Sequence, residues 1–114
     1  MRRVAIPIAN NVLSEYFGGC NHYEIFEIEN DDIRKTSFEI PEVEAVNELP
    51  DWLEKRGITD VIAYKVKKEI IRLFASKKIN LFVGVPQQDP ARIIEAYLNG
   101  KLESDKRIIE ELTN

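Results

Sequence analysis

Cysteine and histidine are nearly missing from this chain: Cys20 and His22 are the only examples among 114 residues. A single thiol leaves no internal disulfide and fits a reducing compartment. One thiol and one imidazole also fall short of every common zinc site that a single chain builds from cysteine and histidine. No apolar run approaches the roughly 20 residues a membrane span needs. Met1-Arg2-Arg3 is a basic start, but the apolar run after it, Val4 to Ala9, is shorter than a signal-peptide core and contains Pro7. The expectation is a cytoplasmic protein with no membrane contact. Basic excess is absent too: 16 Lys and Arg stand against 20 Asp and Glu, a net charge of −4, which argues against a nucleic-acid binder. Internal repeats and low-complexity tracts are lacking. What remains, 44% hydrophobic and 32% charged residues, is the composition of one ordinary globular domain with a core of its own.

The organising stretch is Asp60 to Val85. Val61-Ile62-Ala63-Tyr64 is short, apolar and rich in β-favoured residues, as a strand buried on both faces should be. From Val66 to Lys78 the period changes: Val66, Ile70 and Phe74 recur every four residues, while Lys67, Lys68, Glu69, Arg72, Lys77 and Lys78 take the wet side. Leu81 to Val85 restores a strand, and Pro86 stops it. Strands joined through a helix lie parallel with a right-handed crossover. Ligand sites in open sheets of this type lie beyond the carboxyl ends of the strands, so Tyr64 to Lys68 is the first place to look for function.

In chain order, Val4 to Ala9 reads as the first strand, with Pro7 marking an edge strand, a strand end or a bulge. Asn10 and Asn11 open a loop that reaches Gly18-Gly19. Tyr23 to Glu29 and Ile33 to Ile40 form an antiparallel hairpin across the turn Asn30-Asp31-Asp32. Pro41 to Glu48 is an acidic, irregular lead into a helix that starts at Pro50 and Asp51 and ends at Gly57. Asp89 and Pro90 signal another helix start, closed by Asn99-Gly100. Ser104 caps a last amphipathic segment through Ile108, Ile109 and Leu112. The order is three strands, then helix, strand, helix, strand, helix, helix. That pattern implies an α/β domain with a five-stranded mixed sheet and helices on its faces.

Two clusters carry candidate chemistry. In the loop from Leu13 to His22, Gly18 and Gly19 let a ligand approach the main chain. Cys20 and His22 offer thiolate and imidazole, a ligand pair suited to iron–sulfur, copper or molybdenum–sulfur chemistry. The other reading of the same residues is a small buried cysteine and a histidine that caps the second strand. The second cluster is Lys65, Lys67 and Lys68. Cations at a helix N-terminus oppose its dipole by about 0.3–1 kcal/mol each, a cost that an anionic ligand would offset and that salt would screen. No serine–histidine–carboxylate arrangement is present, and VAIPIA lacks the inward carboxylates of a metal-dependent nuclease, so no catalytic residue is assigned and a non-enzymatic role is expected.

AIPIAN, LSEYFGGCNHYEIFEIE, LPDWLEKRGITDVIAY, INLFVGV and AYLNGKLES, taken in order, resemble the dinitrogenase iron–molybdenum cofactor biosynthesis family over about nine tenths of the chain. The resemblance implies a ribonuclease H-like three-layer α/β fold over residues 1–103, with residues 104–114 as a helical tail. It implies a small carrier or accessory domain for a metal–sulfur cluster or cluster precursor, without catalysis of its own. On that footing Phe17, Gly18, Gly19, Cys20 and His22 surround an anionic iron–sulfur or molybdenum-containing ligand, Cys20 and His22 are the metal ligands, and Lys65 and Lys67 neutralise charge. The chain also departs from the family pattern. Tyr16 stands where a histidine is common, Tyr64 to Lys68 replaces a glycine-rich turn, and Val43 to Leu49 lacks glycine and histidine. These departures frame the alternative, a protein-interaction or regulatory module that keeps the fold without the cluster site. An accessory protein as partner, and a monomer or weak homodimer, complete the expectations.

Overall fold

The computed structural model describes residues 1–43, 45–105 and 107. Strand β1 (Arg2–Ala9) is followed by a two-residue turn whose asparagines, Asn10 and Asn11, both take positive φ, 55° and 68°. That left-handed pair is the tight hairpin turn whose twist matches the flanking strands. It folds Val12–Leu13 back onto β1 as β2, with Ile8 opposite Leu13. Strands β3 (His22–Glu29) and β4 (Asp32–Glu39) form the expected hairpin, again through a positive-φ pair, Asn30 and Asp31. Next come a 3₁₀ turn (Val46–Glu48), helix α1 (Leu49–Lys55), β5 (Asp60–Ile62), α2 (Lys68–Ala75), β6 (Asn80–Phe82) and α3 (Pro90–Leu98).

The sheet runs β4-β3-β1-β5-β6, with β2 paired to the end of β1. It is mixed, as the sequence implies: β1 is antiparallel to β2 and β3 but parallel to β5, and β5 is parallel to β6. The count of five strands needs correcting to six, because β2 is too short to read from its two residues. Pro7 also sits differently from expectation, since β1 lies between neighbours on both sides. Arg3 donates its backbone N–H toward Thr59 on the β5 side, and alternation points position 7 the same way. There β5 has already stopped pairing, at Ala5, and Ser14 N–H reaches the Pro7 carbonyl at 2.8 Å. The missing proline donor therefore costs no ladder bond.

Alternation along the strands divides the core. Ala5, Tyr23, Ile25 and Val61 face Leu49 and Leu53 of α1 and Ile70 and Phe74 of α2. Val4, Ile6, Phe26, Ile28 and Ile62 face Ile93, Ile94 and Tyr97 of α3. Helix α2 is shorter than its apolar period, starting at Lys68 and not at Val66, although Val66 is buried. Helix α3 has the expected ends: Asp89 accepts from Arg92 N–H at 3.0 Å, and Gly100 takes φ 67°. Among the described residues, Ser104 is engaged with the sheet. Its Oγ accepts from Val83 N–H at 3.0 Å, and the Asp105 carboxylate accepts from Arg107 N–H at 2.9 Å. The rest of the expected tail helix, through Ile108, Ile109 and Leu112, lies outside the described residues. Among the described residues, no helix is long and apolar enough to cross a membrane.

The topology fixes where a ligand site belongs. From β1 the chain moves out through β3 to β4, then crosses to β5 and β6 on the other side. The reversal lies between β1 and β5, and the loops leaving their carboxyl ends flank it.

Candidate functional site

Those two loops are bonded to each other. Phe17 N–H donates to the Lys65 carbonyl at 2.9 Å and Lys65 N–H donates to the Glu15 carbonyl at 3.0 Å, making Tyr16 and Lys65 a parallel bridge. The buried Ser14 hydroxyl donates to the Tyr16 carbonyl at 2.7 Å and shapes the approach. The Phe17 ring is a core group, edge-on to Tyr23 at 5.9 Å and to Phe74 at 5.5 Å. Tyr23 Oη donates to the Phe17 carbonyl at 3.1 Å, so strand β3 holds the loop from below. Above this floor opens a cavity of about 140 Å³, lined by Phe17, Gly18, Gly19, Lys65, Lys67 and Ile70, with Tyr16 and Val46 at its sides.

The two lysines differ. Lys65 Nζ lies 3.3 Å from Glu15 Oε2, and also sits over the rings of Tyr16 and Tyr64 at 5.5 and 5.4 Å. The Glu15 hydrogen bond is the main reason its ammonium holds its proton beyond the usual lysine range. A solvent-exposed pair of this kind adds little to stability, because water and salt screen it. Lys67 is the extended N-cap of α2 and forms no ion pair among the described residues. Its charge lies against the positive end of a helix, with no described carboxylate to offset it.

Cys20 and His22 are not brought together. Cys20 packs against the core on the α1 and α2 face and borders a second cavity, about 200 Å³, with Asn21, Ile40, Pro41 and Val43. Burial pushes its thiol above the ordinary cysteine value, partly offset by a hydrogen bond with Tyr23. His22 opens β3 opposite Ile8, and alternation about Tyr23 sends it to the α3 face. There its ring lies edge-on to Phe38 at 5.2 Å, beside a third cavity bordered by Asn11 and Glu24. Among the described residues, no three histidine, cysteine or acidic side chains converge as a metal would need. The sequence singled out Tyr64 to Lys68 and the loop that holds Glu15, but not Val46. Val46 comes from the segment read as an irregular acidic lead, and its Cγ2 lies 2.5 Å from where a Cβ on Gly18 would stand. Gly18 is glycine because a side chain from 28 positions away occupies its space.

Residues 1–100 match the family model for dinitrogenase iron-molybdenum cofactor proteins. The chain belongs to this family. It is 29% identical over 111 residues to the uncharacterized protein MJ0580 of Methanocaldococcus jannaschii, covering 90% of this chain and 91% of that one. The crystal structure of a protein designated PH0822 superposes with a TM-score of 0.82 at 28% identity, over 95% of this chain and 98% of the other. The orange protein of Desulfovibrio gigas, solved in its apo form, shares the fold with a TM-score of 0.76 at 11% identity, over 92% and 93% of the two chains. For a member of the dinitrogenase iron-molybdenum cofactor family, the described side chains are short of metal donors, and the rim cavity is mostly apolar with two lysines on its border.

Proposed function

We propose that this chain is a non-catalytic binding domain that holds a small anionic metal–sulfur species, or a cofactor precursor of similar charge, in the rim cavity between the Tyr16–Gly19 loop and the Lys65–Lys67 loop. The observation that carries this reading is the backbone bridge between Tyr16 and Lys65, which sets two cationic side chains and two glycines around one opening at the strand reversal. Family membership supports the ligand class. The donor set limits how the ligand is held. With Cys20 and His22 on opposite faces and the Cys20 thiol biased toward its protonated form, the cargo arrives with its own sulfur ligands. Lys65 and Lys67 retain it by charge-assisted hydrogen bonds. The ribonuclease H-like classification belongs to the same proposal, supported by helices on both faces of a mixed sheet whose central strand is β1. So do a cytoplasmic setting and a monomeric or weakly dimeric state.

Titration calorimetry with tetrathiomolybdate, alongside anaerobic reconstitution with iron, sulfide and molybdate or copper, tests the reading. Binding should be lost in the double variant Lys65→Ala/Lys67→Ala and kept in His22→Ala. Equal binding in the lysine variant, or none in the parent chain with every reconstituted sample colourless, would overturn it. A second reading, the protein-interaction module, draws on one observation: edge strand β4 and its exit leave Phe38 and Ile40 exposed at 67% and 73%. Light scattering separates the two, since self-association lost in Phe38→Ser would favour the module.

A further inference from the structure

The lysine cavity and the Cys20 cavity are neighbours. Both are bordered by Gly18 and Val46, and by no other described residue in common. On one side of that pair stand Lys65, Lys67 and Ile70; on the other stand Cys20, Asn21 and Pro41. Val46 rests directly on Gly18: a Cβ there would meet Val46 Cγ2 at 2.5 Å and Cγ1 at 2.8 Å. The two methyls therefore cover the passage over the glycine backbone, and the volumes on either side, about 140 and 200 Å³, stay apart. The 3₁₀ turn that carries Val46 is tied locally, with Ala45 N–H donating to Glu48 Oε2 at 3.1 Å, so the side chain is presented from a held backbone.

We infer that Val46 is the specificity-determining residue of the rim site, a partition that limits the lysine cavity to small anions and keeps the Cys20 thiol out of contact with whatever the lysines hold. This rests on the binding role proposed above. Shortening Val46 joins the cavities, admits a larger anion and brings Cys20 to its edge. The partition is steric, and threonine shares the β-branched shape of valine, so at this 40% exposed position it preserves the wall.

The test follows Cys20 alkylation by iodoacetamide, read by mass spectrometry, with and without tetrathiomolybdate. In the parent chain the anion should bind without slowing alkylation. In Val46→Ala it should slow alkylation about tenfold when the anion stands at about ten times its Kd. Val46→Thr should behave as the parent. Protection of Cys20 already in the parent chain, or none in a Val46→Ala protein that binds the anion, would overturn the partition. A second measurement needs no ligand: the ratio of Cys20 rates with iodoacetate and with iodoacetamide. Measured at about 1 M salt, where the Debye length is about 3 Å and the field across the wall is screened, Lys65→Glu should lower that ratio on the Val46→Ala background and much less on the parent background. An equal drop on both backgrounds would overturn the partition. If the parent chain does not bind tetrathiomolybdate, the binding role fails, and the charge ratio still decides the role of Val46.

Discussion

The two ends of the parallel strands are built in opposite ways. At the amino end of β5, Asp60 is buried and its carboxylate accepts from Thr59 Oγ1 at 2.6 Å and from Asn80 Nδ2 at 3.4 Å. The Tyr97 hydroxyl of α3 lies close enough for the Asp60 carboxylate to raise its pKa. Arg2 Nη1 donates to Tyr97 Oη at 3.2 Å and its guanidinium lies over the ring at 5.0 Å. Each of these polar groups has a partner, and the partners come from β1, β5, β6 and α3. At the carboxyl end, two loops are fastened through their backbones, a cavity stays open, and Lys67 has no counter-charge among the described residues. One end ties α3 to the sheet; the other leaves Lys67 without a counter-charge among the described residues. A buried polar group is costly unless satisfied, whereas a solvated lysine costs little to leave free.

The contrast can be broken from the closed end first. Asp60→Ala removes the buried acceptor of Thr59 Oγ1 and Asn80 Nδ2 and should lower unfolding stability by up to about 3 kcal/mol in urea titrations, while leaving anion affinity unchanged. At the open end, Gly18→Ala overpacks Val46 and should cost about 1–3 kcal/mol. Adding Val46→Ala should recover most of that loss, since only the Val46 Cβ, at 3.2 Å, then remains close. Additive losses in that pair would show the contact is not the cause.

A pH titration sharpens the closed end further. Burial, then the Asp60 carboxylate, pushes the Tyr97 hydroxyl up to about 12, with Arg2 pulling partly the other way. A folded-state value above the unfolded one gives stability that is fully present below the ordinary tyrosine value of 10.0 and is lost as pH rises to about 12. Melting temperature should fall across that window in the parent chain and fall less in Tyr97→Phe. The smallest effect belongs to the open end: Lys67→Ala should shift stability by under about 0.5 kcal/mol while weakening tetrathiomolybdate binding.

How far the sequence could be read tracks the same divide. Helix α3 was legible because its signals are local: Asp89, Pro90 and Gly100 each act within one turn. The hairpin from β3 to β4 and the parallel pair around α2 were legible from period alone. Strand β2 escaped because two residues carry no period, although Asn10-Asn11 is a turn pair that could have announced it. The shared rim of Lys65 and the glycine loop came from topology, and the structure brings them into hydrogen-bond contact. The pairing of Cys20 with His22 had no such support. Closeness in sequence says nothing about faces, and Tyr23, turned into the core, sends its neighbour His22 to the far side. Val46 was illegible for the converse reason: its contact with Gly18 spans 28 positions, and no local pattern in Pro41 to Glu48 points to it.

The central claim is that one anion site lies between the two bridged loops at the carboxyl rim. Amide-resolved NMR titration with tetrathiomolybdate tests it most directly. The expected result is a shared saturation curve for the amides of Phe17, Gly18, Gly19, Lys65 and Lys67, with Thr59, Asp60 and Asn80 unmoved. Saturating shifts centred on His22 and Phe38, or at the Asp60 end, with the lysine loop silent, would contradict it.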